Sequence, residues 1–123
     1  MNQPTAVPAI DVKDVARETA EAAPGAPLIV DVREPDEFAS ERIAGVALLP
    51  ISELAARHGE LPRDRPLRMI CRSGSRSAAA TSYLLQGGWV DVRNVTGGML
   101  AWQAAGLPVR TGAPDPDEGL IPG

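Results

Sequence analysis

Apolar positions along the chain fall in short runs separated by amphipathic stretches of about 8–13 residues, the spacing of strands and helices alternating around a parallel sheet. The first predicted helix runs from near Val12 to Ala22 and is closed by Pro24 and Gly25. Leu28-Ile29-Val30-Asp31-Val32 follows as a continuous apolar run ending in a charge, which predicts a buried strand with its tip at a site. Residues 35–41 read as a short helix entered through Pro35 and acidic in its first turn, as the helix dipole prefers. A short strand over 46–49 is stopped by Pro50, and Ser52 is placed to cap a helix carrying Leu54 and Ala55 and ended by Gly59. The strand 67–70 delivers Cys71 at its carboxyl end, and residues 77–86 form a helix with Ala80 and Leu84 on one face. Residues 90–95 alternate with period two, and Gly97-Gly98 leads into a last helix over 99–105, stopped by Gly106 and Pro108. The segment from Val109 onward is rich in Pro, Gly and Asp, so it is expected to be mobile or to drape over the surface.

Length and composition narrow this picture to one globular unit. A chain of 123 residues buries about two-thirds of its unfolded surface, enough for a core without disulfides or structural metal. Aromatics make up only 3%, so Ala, Val, Leu and Ile must build that core. One cysteine cannot close an internal disulfide and, with a single histidine, cannot supply a Cys-His zinc cage, so no metal is expected. The first eight residues lack a basic n-region followed by a long apolar stretch, and no run approaches the roughly 18 apolar residues of a membrane span. The expected location is therefore cytoplasmic, with no membrane contact. A net charge of −4 argues against direct binding to nucleic acid. Locally the balance reverses: Arg63, Arg65, Arg68, Arg72 and Arg76 face only Asp64 between positions 63 and 76, and part of that segment is expected to attract a small anion.

The chemistry concentrates in Cys71-Arg72-Ser73-Gly74-Ser75-Arg76-Ser77. A turn from a strand end into a helix N-terminus aims several backbone N–H groups at one point and adds the positive end of the helix dipole. Gly74 lets the backbone fold tightly, Ser73, Ser75 and Ser77 leave the amides uncovered, and Arg72 and Arg76 add fixed positive charge. The anion held there can be the cysteine's own sulfur. A free thiol ionises near pH 8.5, and a helix N-terminus with neighbouring arginine lowers that, so the nucleophile is expected to be preformed. A buried apolar cysteine is the competing reading, but flanking arginines, glycine and serines are poor company for a core.

Here the chain resembles the rhodanese, or thiosulfate:cyanide sulfurtransferase, family, whose active-site loop starts with cysteine. Asp31-Val32-Arg33-Glu34 with Glu37-Phe38 is similar to the family's first signature, and Ile43-Ala44-Gly45-Val46 with Leu49-Pro50 to its second. Gly97-Gly98-Met99 with Ala101-Trp102 and Gly106-Leu107-Pro108-Val109 is similar to its last. One departure is visible: many relatives carry histidine where this chain has Arg42. The resemblance implies an α/β, rhodanese-like fold with a central, mainly parallel sheet of about five strands and helices on both faces. It divides the chain into an N-terminal segment, 1–9, a domain over 10–109 and a tail, 110–123. It also implies that the Cys71 thiolate takes the outer sulfur of thiosulfate as a persulfide, releases sulfite and passes the sulfur to cyanide in an assay or to a thiol in the cell, with no cofactor required. Arg72 and Arg76 would hold the anionic part of the donor, and Asp31 and Arg33 would brace the loop. A protein partner in a sulfur relay is the alternative to turnover by the chain itself.

Other classes fit less well. Cysteine phosphatases and arsenate reductases place arginine six positions after the cysteine, whereas here Arg76 is fifth and Ser77 sixth, which makes the cradle small for phosphate. No Cys-x-x-Cys is present for thioredoxin-like exchange, and a Cys-His protease would have to recruit His58, which has a simpler role complementing the dipole at a helix end. Gly87-Gly88 and Gly97-Gly98 read as turns, and Trp89 and Trp102 as packing residues.

Overall fold

A computed structural model describes residues 7–21 and 23–122. The expected helix end at Ala22 and most of the expected N-terminal segment lie outside the described residues. In chain order the elements are β1 (Ala9–Ile10), α1 (Val12–Glu18), β2 (Leu28–Asp31), α2 (Pro35–Ser40), β3 (Glu41–Arg42), β4 (Ala47–Leu48) and α3 (Ile51–Arg57). A short 3-10 turn, His58–Glu60, leads to β5 (Leu67–Ile70), α4 (Ser75–Gln86), β6 (Val92–Val95), α5 (Gly98–Ala104) and β7 (Arg110–Thr111). β1, β6, β5, β2 and β4 lie side by side in that order as one all-parallel sheet.

Side-chain alternation explains why this sheet must be covered twice. On one face Leu28, Val30, Leu67, Met69 and Val92 pack with Leu54 of α3 and with Ala80 and Leu84 of α4. On the other, Ile29, Ile70 and Val95 pack with Val12 and Val15 of α1, Phe38 of α2, and Met99 and Trp102 of α5. The central strands β2 and β5 are buried at every position, as parallel strands between two helical layers must be. Because the strands run parallel, Asp31, Cys71 and Val95 reach the same carboxyl edge, where open α/β sheets place their sites.

Several element ends differ from the sequence reading, each for a local reason. α1 stops at Glu18 because the Thr19 hydroxyl turns back to donate to the Val15 carbonyl at 2.7 Å, and no bulky apolar residue follows on its buried face. α4 starts at Ser75 because Gly74 takes a left-handed conformation, φ 106°, which brings Ser75 and Arg76 into the first turn. Ser52 does not cap α3. Pro50 occupies that position, and the Ser52 hydroxyl donates instead to the Glu34 carboxylate at 2.9 and 3.1 Å.

β3 and β7 form a separate antiparallel ribbon that ties the C-terminal segment down. Arg42, almost fully buried, pairs with Glu118, donates to the Gly112 carbonyl at 2.7 Å and stacks its guanidinium over Phe38. Gly119 then lies beside β4, its carbonyl accepting from the Leu48 amide at 2.8 Å, and Ile121 packs against the core. Arg42 thus anchors the tail. Glu118 is held below the ordinary glutamate range, chiefly by its hydrogen bond to Arg42 and against the opposing effect of burial. A carboxylate depressed in the folded state stabilises the fold above its unfolded pKa and loses that contribution as pH falls through the native value. Hydrogen exchange should therefore show Leu48 losing protection relative to Leu67 on acidification below about pH 4, and Arg42→Met should do the same at neutral pH. Unchanged Leu48 protection in both cases would refute the clasp.

Candidate active site

The Cys71 loop is built from both ends of the sheet–helix junction. β5 carries the chain to Cys71, and α4 begins soon after at Ser75, so the amides of the turn and of the first helical residues converge on one sulfur. Sγ accepts from the Gly74 amide at 3.1 Å and the Ser77 amide at 3.4 Å, and the Ser77 hydroxyl oxygen stands 3.3 Å away. Cys71 is only 1% exposed. Burial by itself pushes the thiol up. The Ser77 hydroxyl and the amides of Ser77, Gly74 and Ser73 more than offset it, and the net result is a thiol below its ordinary value.

The remaining loop residues divide by direction. Gly74 and Ser77 are buried at the sulfur, while Arg72, Ser73 and Ser75 are exposed. Arg76 turns away to make a two-pronged ion pair with Glu37 of α2, at 2.7 and 2.8 Å. That pair holds the Glu37 carboxyl down to about 2, with Arg76 hydrogen bonding the largest influence and partial burial opposing it. The arginine-rich stretch thus disperses: Arg68 is bound by Glu18 and Asp91, Arg65 donates to the Ala26 carbonyl, and Arg63 stacks on Trp89. Among these five, Arg72 is left as the exposed guanidinium nearest the cysteine in sequence. It borders a cleft of about 270 Å³ whose other walls include Asp36, Glu41, Met99 and Leu100.

Asp31 and Arg33 form a buried pair, with Arg33 Nε and Nη2 donating to the carboxylate at 2.8–3.1 Å. Arg33 also donates to the Glu37 carbonyl at 3.2 Å and the Glu41 carbonyl at 2.7 Å. These bonds hold α2 at its middle and its C-terminal end, and α2 carries the carboxylate that holds Arg76. Among the described residues neither side chain hydrogen-bonds residues 71–77, and the hydrogen-bonded link from the pair to Arg76 runs through α2. His58 is engaged elsewhere, its Nδ1 hydrogen-bonded to the Ala55 carbonyl at 3.0 Å and its ring edge-on to Tyr83 and Trp89.

Two residues at the loop escape the sequence reading. Asn94 of β6 places its Oδ1 2.6 Å from Ser77 Oγ and donates from Nδ2 to the Gly74 carbonyl at 3.1 Å. Its signal is a carboxamide in an otherwise apolar half of an alternating strand. Gly98 reads from sequence as a turn, yet a Cβ there would lie 2.3 Å from the Cys71 carbonyl oxygen and 2.7 Å from that of Arg72. The close approach lets the Met99 and Leu100 amides bond those carbonyls at 2.8 and 3.0 Å. The N-terminus of α5 thus holds the start of the loop.

A buried cysteine ringed by amides at the carboxyl edge of a five-stranded parallel sheet defines a sulfur-handling α/β domain, and the comparisons with known proteins agree. Residues 12–105 match the family described as rhodanese-like domain, and the chain belongs to that family. It is 43% identical over 82 residues to a sulfurtransferase of Allochromatium vinosum, a match covering 67% of this chain and 77% of that one. It is 35% identical over 78 residues to the thiosulfate sulfurtransferase GlpE of Pseudoalteromonas translucida, covering 63% and 74%. The crystal structure of a rhodanese-related protein from Thermoplasma volcanium superposes with a TM-score of 0.76 at 36% identity, covering 84% of this chain and 97% of that one. Other curated relatives are longer, the chain spanning 59% of one and 45% of another. Among the described residues no helix is long and apolar enough to cross a membrane.

Proposed function

We propose that the protein transfers sulfane sulfur through a persulfide on Cys71, with thiosulfate or a related anion as donor and a thiol as acceptor. In the first half-reaction the thiolate attacks the outer sulfur of thiosulfate, a new S–S bond forms, and the bond to the sulfonate sulfur breaks with its electron pair leaving on sulfite. In the second, an acceptor thiolate attacks the outer persulfide sulfur and the Cys71 thiolate is the leaving group. Cyanide in place of the thiol gives thiocyanate. The observation that carries this reading is the pair of fixed backbone donors at Sγ, the Gly74 and Ser77 amides at 3.1 and 3.4 Å. Donors set before the reaction stabilise an anionic sulfur without reorganising, as an oxyanion hole does for oxygen.

Arg72, exposed within the loop, would meet the sulfonate end of the donor, while Arg76 is held back by Glu37. This division weighs against a phosphatase, whose arginine must bracket a tetrahedral oxyanion over the cysteine. Here the sixth position presents the Ser77 hydroxyl to the sulfur.

Exposure to thiosulfate followed by intact-mass measurement should add one sulfur atom to the wild type and none to Cys71→Ser, and cyanide should then discharge it as thiocyanate. Absence of the adduct on the wild type would count against thiosulfate, and equal labelling of the variant would remove Cys71 from the mechanism. An adduct that a protein thiol discharges and cyanide does not would mark a relay rather than a turnover enzyme.

A further inference from the structure

The proton of the Ser77 hydroxyl has two claimants. A backbone carbonyl only accepts, so the Gly74 oxygen 3.1 Å from Asn94 fixes which end of that carboxamide faces it: the Nδ2 donor. The carboxamide oxygen must then face Ser77 Oγ, and at 2.6 Å, with Oδ1 able only to accept, the hydroxyl proton lies between the two oxygens. The side of Ser77 Oγ turned to Cys71 Sγ, 3.3 Å away, is then a lone pair. In that arrangement Ser77 can accept from an S–H group but cannot donate to S⁻.

We propose that Asn94 is a positioning residue that makes Ser77 a two-state contact, accepting from the Cys71 thiol at rest and donating to its anionic sulfur after ionisation. When the thiol proton leaves to water, the hydroxyl rotates from Asn94 Oδ1 to Sγ, and the carboxamide oxygen gives up its donor. The amides of Gly74 and Ser77 have no such divided role and face the sulfur in both states. Asn94 thus withholds part of the stabilisation that Ser77 would otherwise give the thiolate. The chemical advantage follows from nucleophilicity, which falls as a thiol becomes more acidic, so that an attacking thiol works best when its pKa is near the ambient pH.

The charged groups around the loop are Arg72 in the loop itself, Arg76 at the start of α4, Glu37 of α2 clasping Arg76, and Asp31 at the end of β2. Arg93 on β6, next to Asn94 in sequence, is exposed. None of these is altered by an uncharged substitution at position 94. The inference rests on the proposed use of Cys71 as a sulfur nucleophile for its purpose, but the contact itself is measurable without any sulfur donor.

The test is the pH dependence of Cys71 alkylation by iodoacetamide in the wild type, Asn94→Leu, Ser77→Ala and the double variant, with Asn94→Ala made in parallel should the leucine not fold. Releasing the hydroxyl in Asn94→Leu should move the alkylation midpoint down by about one pH unit, a hydrogen bond to a charged sulfur gained without competition. Ser77→Ala should move it up, and adding Asn94→Leu to Ser77→Ala should leave it where the single serine variant put it. An equal shift from the asparagine substitution in both backgrounds, an upward shift, or none at all in the presence of Ser77 would overturn the proposal. Failure of sulfur loading from thiosulfate with this pattern intact would instead strike only the choice of donor.

Discussion

Replacing Gly98 by alanine is expected to lower stability by about 3 kcal/mol, or roughly 10–15 °C in melting temperature, and to slow Cys71 alkylation at the same time. Two effects combine. The residue sits at φ 58°, where a side chain carries a cost of about 1–2 kcal/mol. Its Cβ would also stand 2.3 Å from the Cys71 carbonyl oxygen, so helix and loop must part and the bonds from the Met99 and Leu100 amides weaken. Gly106→Ala separates the two effects. Gly106 has φ 74°, and a Cβ added there would meet nothing within 4 Å, so that variant should lose only about 1 kcal/mol and keep the alkylation rate of the wild type. Calorimetry and iodoacetamide kinetics on both variants decide the matter: equal behaviour would mean that the approach of α5 to the loop has no special weight.

Arg33→Met is expected to cost about 3–5 kcal/mol, because it strands the Asp31 carboxylate inside the protein. Asp31 is 1% exposed, and among the described residues its carboxylate is hydrogen-bonded only by Arg33. The same substitution releases the carbonyls of Glu37 and Glu41, and with them the position of α2. Adding Asp31→Leu to Arg33→Met should recover more than half of the loss, since removing both charges also removes the desolvation that made one of them unbearable. Chemical denaturation of the two variants checks this. A double variant no more stable than Arg33→Met would show that the carbonyl bonds, rather than the stranded charge, set the cost.

These expectations also mark what a sequence can disclose. The turn at Cys71 is legible because its cause is local: a run of buried strand residues ends at Cys71, and small or cationic residues follow before the helix takes hold. Even so, the left-handed Gly74 moves the helix start to Ser75, since the pattern of Ala80 and Leu84 marks a buried face but not its first turn. The fate of the arginines is not local. Arg68 finds Glu18 and Asp91, and Arg76 finds Glu37, across separations of 50, 23 and 39 residues, so a count of neighbouring charges overstates the positive field at the loop. Asn94 and Gly98 escape for the same reason, both acting on backbone atoms of the distant 71–74 segment. The family signatures do carry Gly98, Asp31 and Arg33, though as members of a pattern rather than as contacts.

The course of the tail has one more effect, on the margin of the sheet. β4 is the last strand on its side, and such a strand ordinarily presents unpaired N–H and C=O groups to any passing chain. Here that strand is two residues long, and the Leu48 amide is already taken by Gly119. Arg42 and Glu118 thus do more than secure a loose end: they keep in place a piece of the protein's own backbone that screens this border against edge-to-edge association with a second molecule.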